Sequence, residues 1–293
     1  MTKTEADPGT PPLIRDMLRE QQATLTAAER RLSATLLDDG LMSGLQSITR
    51  LAESAEVSTA SVVRLARKLG FDGFSSFQDA MREEVAARVK EPLEKLDTSR
   101  INGRNDHIIS QFAVAMSRNI NATIDRLDAD EFEAVTDLMA DPSRNIHLIG
   151  GRITRSNANY FFNHLQIIRP GVSLLDASPS VWPQSLLDMN EQTTLVIFDI
   201  RRYEKQLERL SEFVVQQQGN IVLFTDQWGS PIEKHATHTF RSMVEAPSSW
   251  DSTLAINFLI EALIAGIQAR SESADRIASL EEMIGAARIF RGR

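Results

Sequence analysis

Between Ser58 and Leu69 the sequence places three cations, Arg64, Arg67 and Lys68, beside three hydroxyls, Ser58, Thr59 and Ser61, with no carboxylate among them. Hydroxyls and guanidinium groups gathered on one short segment suit hydrogen bonding to phosphate oxygens and base edges. On a helix laid in the major groove the N-terminal residues read bases, and the remaining polar and basic ones hold the backbone. This assigns Thr59, Ala60 and Arg64 to the groove, Ser58, Ser61, Arg67 and Lys68 mainly to phosphates, and Arg50 as a further phosphate contact. The partner these residues call for is double-stranded DNA. Other candidate chemistry is sparse. The chain has no cysteine, which removes thiolate metal sites, disulfides and a cysteine nucleophile. His235 and His238 stand three apart without a third ligand in the pattern and read as solvated, so no metal and no cofactor are expected.

The elements that must position the basic segment are legible around it. Ile48, Leu51 and Ala52 form the inward stripe of one helix, and Val62, Leu65 and Leu69 that of a second. Ser58 is a suitable N-cap and Gly70 a suitable C-cap for the second helix. A tight turn through Glu56 and Val57 joins the two, with glutamate where a turn needing positive φ usually carries glycine. The plain alternative is a helical hairpin whose basic residues are merely solvated. Cap, small residue, turn spacing and one-sided charge coincide here, which favours a helix-turn-helix.

A net charge of −8 taken alone argues against a nucleic-acid binder, but in a chain of 293 residues it averages over more than one domain. Four parts are expected: a disordered tail at 1–12, an all-helical DNA-binding domain at 13–92, a linker at 93–106, and a second domain at 107–293. In the last, short apolar runs (146–149, 172–175, 195–198, 221–224) alternate with helical stretches, the pattern of βαβ units around a parallel sheet flanked by helices. Ligand loops would then follow the strands at their carboxyl edge. The polar N-terminus lacks the apolar core of a secretory signal, and the apolar stretch 254–267 is interrupted by Asn257 and Glu261. A cytoplasmic protein with no membrane partner is the expectation.

The head resembles the RpiR/MurR family of bacterial regulators through Leu25-Thr-Ala-Ala-Glu29, Ser47 to Ala52, Val57-Ser58, Ser61-Val-Val-Arg64, Lys68 to Phe71 and Gly73-Phe-Ser-Ser-Phe77. The second half resembles a sugar-isomerase (SIS) domain through Ile146 to Gly150, Ala158, Leu165, Thr225-Asp226, Ser230-Pro231 and Glu245. The resemblance implies dimeric operator binding and an α/β domain that senses a metabolite, often a phosphorylated sugar. Its two ligand loops, G-x-G-x-S and S-x-S-G-x-T, are altered here to Gly150-Gly-Arg-Ile-Thr154 and Asp199-Ile-Arg-Arg-Tyr-Glu204. Arg152, Arg201 and Arg202 at the strand ends can rebuild an anion site by side chain; alternatively Arg201 and Arg202 pair with Asp199, Glu204 or Glu245 in a structural network. The expected ligand residues are Gly150, Gly151, Arg152, Thr154, Asp199, Arg201, Arg202, Tyr203, Thr225, Ser230 and Glu245, around a sugar phosphate, sugar acid or carboxylate. No catalytic residue is expected. The rival class is a sugar-phosphate isomerase, for which Glu245 is the one nominee as proton-transfer base. Helices 251–267 and 275–290 offer faces for a homodimer or homotetramer.

Overall fold

The computed structural model describes residues 13–89, 107–271 and 273–288, so the expected tail and linker lie outside it. The chain divides into two compact units, Met1–Lys90 and Glu91–Arg293.

The first unit is helical: α1 (Ile14–Glu20), α2 (Ala27–Asp38), α3 (Ile48–Ser54), α4 (Thr59–Lys68) and α5 (Phe74–Val89). The starts of α2, α3 and α4 have a local cause. Thr26 and Glu29 form a reciprocal capping box at α2, Ser47 caps α3, and Ser58 accepts the Ser61 N–H at 3.2 Å to cap α4. Between α3 and α4 the Val57 N–H reaches Ala52 O at 2.9 Å and the Glu56 N–H reaches Glu53 O at 3.1 Å, a Schellman closure with Glu56 at φ 52°. A left-handed non-glycine residue costs about 1–2 kcal/mol; the turn keeps its geometry all the same, with the Arg31 guanidinium donating to Glu56 O. The same closure ends α4, where Gly70 at φ 90° carries it without strain. Leu32, Leu36, Leu51, Val62, Leu65 and Phe77 are fully buried in the core these helices share.

One acid lies inside that core. The Glu84 carboxylate accepts the Ile14 N–H at 2.6 Å, and burial pushes its pKa up from 4.5 to about 7. A raised acid stabilises the fold fully below its unfolded pKa and loses that contribution as pH rises through the folded value. The gap between the two values corresponds to about 3 kcal/mol. Glu84→Gln is therefore expected to gain stability relative to the wild type progressively from pH 5 to pH 8. Hydrogen exchange of α2 and α4 amides in both full-length proteins measures it, and a difference that does not change with pH refutes it.

The second unit opens with α6 (Ile108–Ile124) and α7 (Ala129–Ala140) and continues as β1 (Asn145–Gly150), α8 (Arg155–Ile168), β2 (Val172–Leu174), α9 (Trp182–Leu186), β3 (Thr193–Phe198), α10 (Lys205–Gln216), β4 (Asn220–Asp226), β5 (His238–Ser242), α11 (Leu254–Arg270) and α12 (Ala274–Ala287). The five strands pair in the order β2-β1-β3-β4-β5, every pair parallel. β3 is buried at every position, as a central strand covered on both faces must be. Its Leu195 and Ile197 meet Leu207, Leu210 and Val214 of α10, while Phe198 stacks on Phe224 at 4.6 Å on the opposite face. The apolar stretch at 254–267 lies in α11, which buries Ala255, Ile256, Leu259, Ile260, Leu263 and Ile267 and packs on α6, α7 and α8. Among the described residues no single helix is long and apolar enough to cross a membrane.

From β1 the chain crosses to β2 on one side and then to β3 on the other. In such sheets the crevice for a ligand opens at the carboxyl ends of the two strands where the direction reverses. Here those ends are Gly150 and Phe198.

Candidate functional site

In the first unit, Thr59, Ala60, Arg64 and Arg67 are exposed along one face of α4, with Ser58 beside them at the cap and Arg50 exposed on α3. Spacings of four and three residues between Ala60, Arg64 and Arg67 keep them on one stripe. Val62, Leu65 and Ala66 anchor the opposite side in the core, so the stripe is rigidly presented. Ser61 departs from its expected role. It is buried, and its hydroxyl lies between Ser58 Oγ at 3.0 Å and the Arg64 guanidinium, which donates to it at 2.8 Å. It orients Arg64 from beneath and has little surface to offer a phosphate. Lys68 departs further, because its ammonium donates to Thr24 O at 2.6 Å and pairs with Glu29 at 3.1 Å. The hydrogen bond from the Thr26 N–H, followed by that from Lys68, holds the Glu29 carboxyl below the usual range. Lys68 thus ties the end of α4 to the start of α2.

In the second unit, the two expected loops meet at the carboxyl edge. Gly150 admits no side chain, since a Cβ there would lie 2.5 Å from the Thr154 carbonyl group. Thr154 is buried and donates to Phe198 O at 2.6 Å, which pins the first loop to β3. The second loop bends at Arg202, which holds φ 71° without being glycine. Asp199, Thr225 and Ser230 are buried: the Ser230 hydroxyl donates to Asp199 at 2.5 Å and the Thr225 hydroxyl to the Asp199 carbonyl at 2.7 Å. These three, with Thr154, form the floor of the crevice and have turned their polar atoms inward. Burial pushes the Asp199 pKa up to about 7.

Arg201 also turns inward. Its side chain is 7% exposed, with Nε 3.2 Å from Asp251 and Nη2 3.9 Å from Glu245, and its guanidinium lies 3.8 Å above the Trp228 ring. The network alternative raised from the sequence is realised for Arg201 through Glu245, and through Asp251, which sequence reasoning did not name. Arg152 and Arg202 are exposed at the rim.

Two further residues take roles the sequence reading did not give them, Glu204 having been named only as a possible partner of the arginines and Asp226 only in the SIS resemblance. Asp226, wholly buried, accepts the Tyr203 hydroxyl at 2.8 Å and the N–H groups of Arg201, Trp228 and Gly229. Glu204 reaches back across the crevice to accept the Arg152 N–H at 2.6 Å. The sequence offered Glu204 as a partner for an arginine side chain, and the structure turns it to the Arg152 main chain instead. His235 and His238 turn to different carboxylates, Glu212 and Glu131.

The family model described as a helix-turn-helix domain, rpiR family, matches residues 13–88, and that for the SIS domain matches residues 139–266. The head is a helix-turn-helix domain of the rpiR family, and an SIS domain follows it. An uncharacterized HTH-type transcriptional regulator of Haemophilus influenzae is 23% identical over 73% of this chain and 74% of its own length. Another, of Thermotoga maritima, is 27% identical over 65% of this chain and 71% of its own. Among solved structures, the Vibrio vulnificus NanR protein complexed with ManNAc-6P shares the fold at TM-score 0.55 and 16% identity, covering 93% of this chain and 98% of that one. The protein is accordingly a DNA-binding transcriptional regulator with a C-terminal SIS domain, and the isomerase alternative falls away.

Proposed function

We propose that this regulator binds operator DNA through Thr59, Ala60, Arg64, Arg67 and Arg50, and that a small anionic metabolite modulates that binding from the SIS domain. The observation that supports sensing is the meeting of the Gly150–Thr154 and Asp199–Glu204 loops at the β1 and β3 ends, where Arg152 and Arg202 are exposed. A guanidinium fork suits a carboxylate or phosphate. Gly150, Gly151 and Tyr203 belong to the same two loops, and Glu245, beside Arg201, is exposed. NanR, of the same fold, is known with the phosphorylated sugar ManNAc-6P, and an acidic carbohydrate derivative is the class proposed here. The protein would act in the cytoplasm as a homodimer or homotetramer, its exposed apolar residues Leu254, Phe258 and Met283 offering faces for pairing.

The test is operator binding by fluorescence anisotropy, on duplexes the protein selects from a random library, in the presence of sugar phosphates, sugar acids and dicarboxylates. Coupling between two sites on a protein typically changes affinity by about 5–150-fold. At least one anionic compound is expected to shift operator affinity within that range. A panel in which only neutral sugars act, or none does, refutes the anionic sensor.

A further inference from the structure

The first loop of the crevice already holds an anion, and it belongs to the protein. Glu204 Oε1 accepts the Arg152 N–H at 2.6 Å and lies 2.9 Å from where a Cβ on Gly151 would sit. The loop runs directly into α8, whose N-terminal end favours negative charge. A carboxylate oxygen on a main-chain N–H at this place is chemically equivalent to one oxygen of a phosphate or carboxylate ligand. Gly151 leaves the space for it, and any side chain there would expel it.

We infer that Glu204 is an internal competitor that an anionic effector must displace from the Gly151–Arg152 cradle. This rests on the proposed reading of the crevice as an anion site and adds the residue that controls entry. Asp226 makes a superficially similar contact, accepting the Arg201 N–H at 2.6 Å, but it is wholly buried and holds three more donors, so it stays. Glu204 is half-buried and hangs from a single hydrogen bond, so it can leave. Its own N–H donates to Asp199 at 3.2 Å, and its main chain caps α10. Displacing the carboxylate therefore acts on the first turn of α10, while the main chain remains anchored to the floor. Glu204 thus sets the threshold concentration at which an anion is felt.

The experiment is calorimetric titration of inorganic phosphate into the full-length wild type, Glu204→Ala and Glu204→Gln at constant ionic strength, without DNA. Removing the carboxylate in Glu204→Ala is expected to tighten phosphate binding at least tenfold. Glu204→Gln, which keeps the shape and one acceptor oxygen but not the charge, should fall between. Should Glu204→Ala melt below the working temperature, the isosteric Gln variant decides alone. Phosphate bound equally by all the folded proteins, or by none of them, overturns the inference. Because the readout is direct binding, it is separate from the operator response that tests the sensing itself.

Discussion

Arg201→Ala is expected to destabilise the SIS domain by about 3–5 kcal/mol, the usual consequence of removing one partner from a buried ion pair. For a domain of this size that corresponds to a fall in melting temperature of roughly 10 °C. The Arg201 side chain is 7% exposed and faces Asp251, itself only 14% exposed, across 3.2 Å. It also stacks on Trp228, which is buried to 1% exposure, and its charge opposes the rise that burial imposes on the Asp226 pKa. Alanine removes the cation, the stacked surface and the compensation for Asp226 together. Arg202→Gly provides the contrast. Arg202 is exposed and sits at φ 71°, so glycine relieves strain without opening the core, and its melting temperature should equal or exceed that of the wild type. Differential scanning calorimetry of the two full-length variants reads both effects. An Arg201→Ala protein melting within about 2 °C of the wild type would show that the network carries little of the fold's stability, and would return Arg201 to the anion-gripping role first considered for it.

That outcome bears on what the sequence could reveal. The two helices α3 and α4 were legible almost to the residue, because Ser58, Gly70 and the stripe of Val62, Leu65 and Leu69 are local signals that act within one turn of where they stand. The apolar runs of β1, β3 and β4 were equally plain, being strands buried on both faces. β5 was not singled out: His238-Thr-Phe-Arg-Ser242 has one large apolar residue, and its place at the sheet edge demands no more. The site divides along the same line. That Gly150–Thr154 and Asp199–Glu204 converge follows from topology, and topology follows from the alternation of strand and helix. Which arginine would face the crevice did not follow, since Arg201 and Arg202 are adjacent in sequence and only the left-handed turn at Arg202 sends one inward and the other out. The partners that fix Arg201 come from the segment after β5, and Asp226 from the end of β4; no spacing rule links them.

The same limit applies to Lys68 and sets up the second large effect, on DNA. Arg64→Ala is expected to weaken operator binding by about 1–3 kcal/mol, or roughly 5- to 150-fold, and to relax the preference at one base position. Its guanidinium is exposed yet held by the Ser61 hydroxyl at 2.8 Å, so little side-chain freedom is lost when it meets a base edge. Arg67→Ala, on the same stripe but nearer the C-terminal end of α4, should weaken all duplexes alike and reduce the slope of log affinity against log salt by about 1. By residue type alone Lys68 should behave as Arg67 does. In the folded head its ammonium is engaged by Thr24 O and Glu29, and a phosphate would have to compete with both. Lys68→Ala should therefore leave the salt slope nearly unchanged and instead loosen the junction of α2 with α4, seen as faster hydrogen exchange in those two helices. Anisotropy titrations of the three variants across a salt series separate these roles. Should Lys68→Ala lower the slope by as much as Arg67→Ala, the ammonium must leave Glu29 when DNA binds, and the contact to α2 is a property of the free protein only. Should Arg64→Ala bind every duplex as the wild type does, α4 is not the recognition helix.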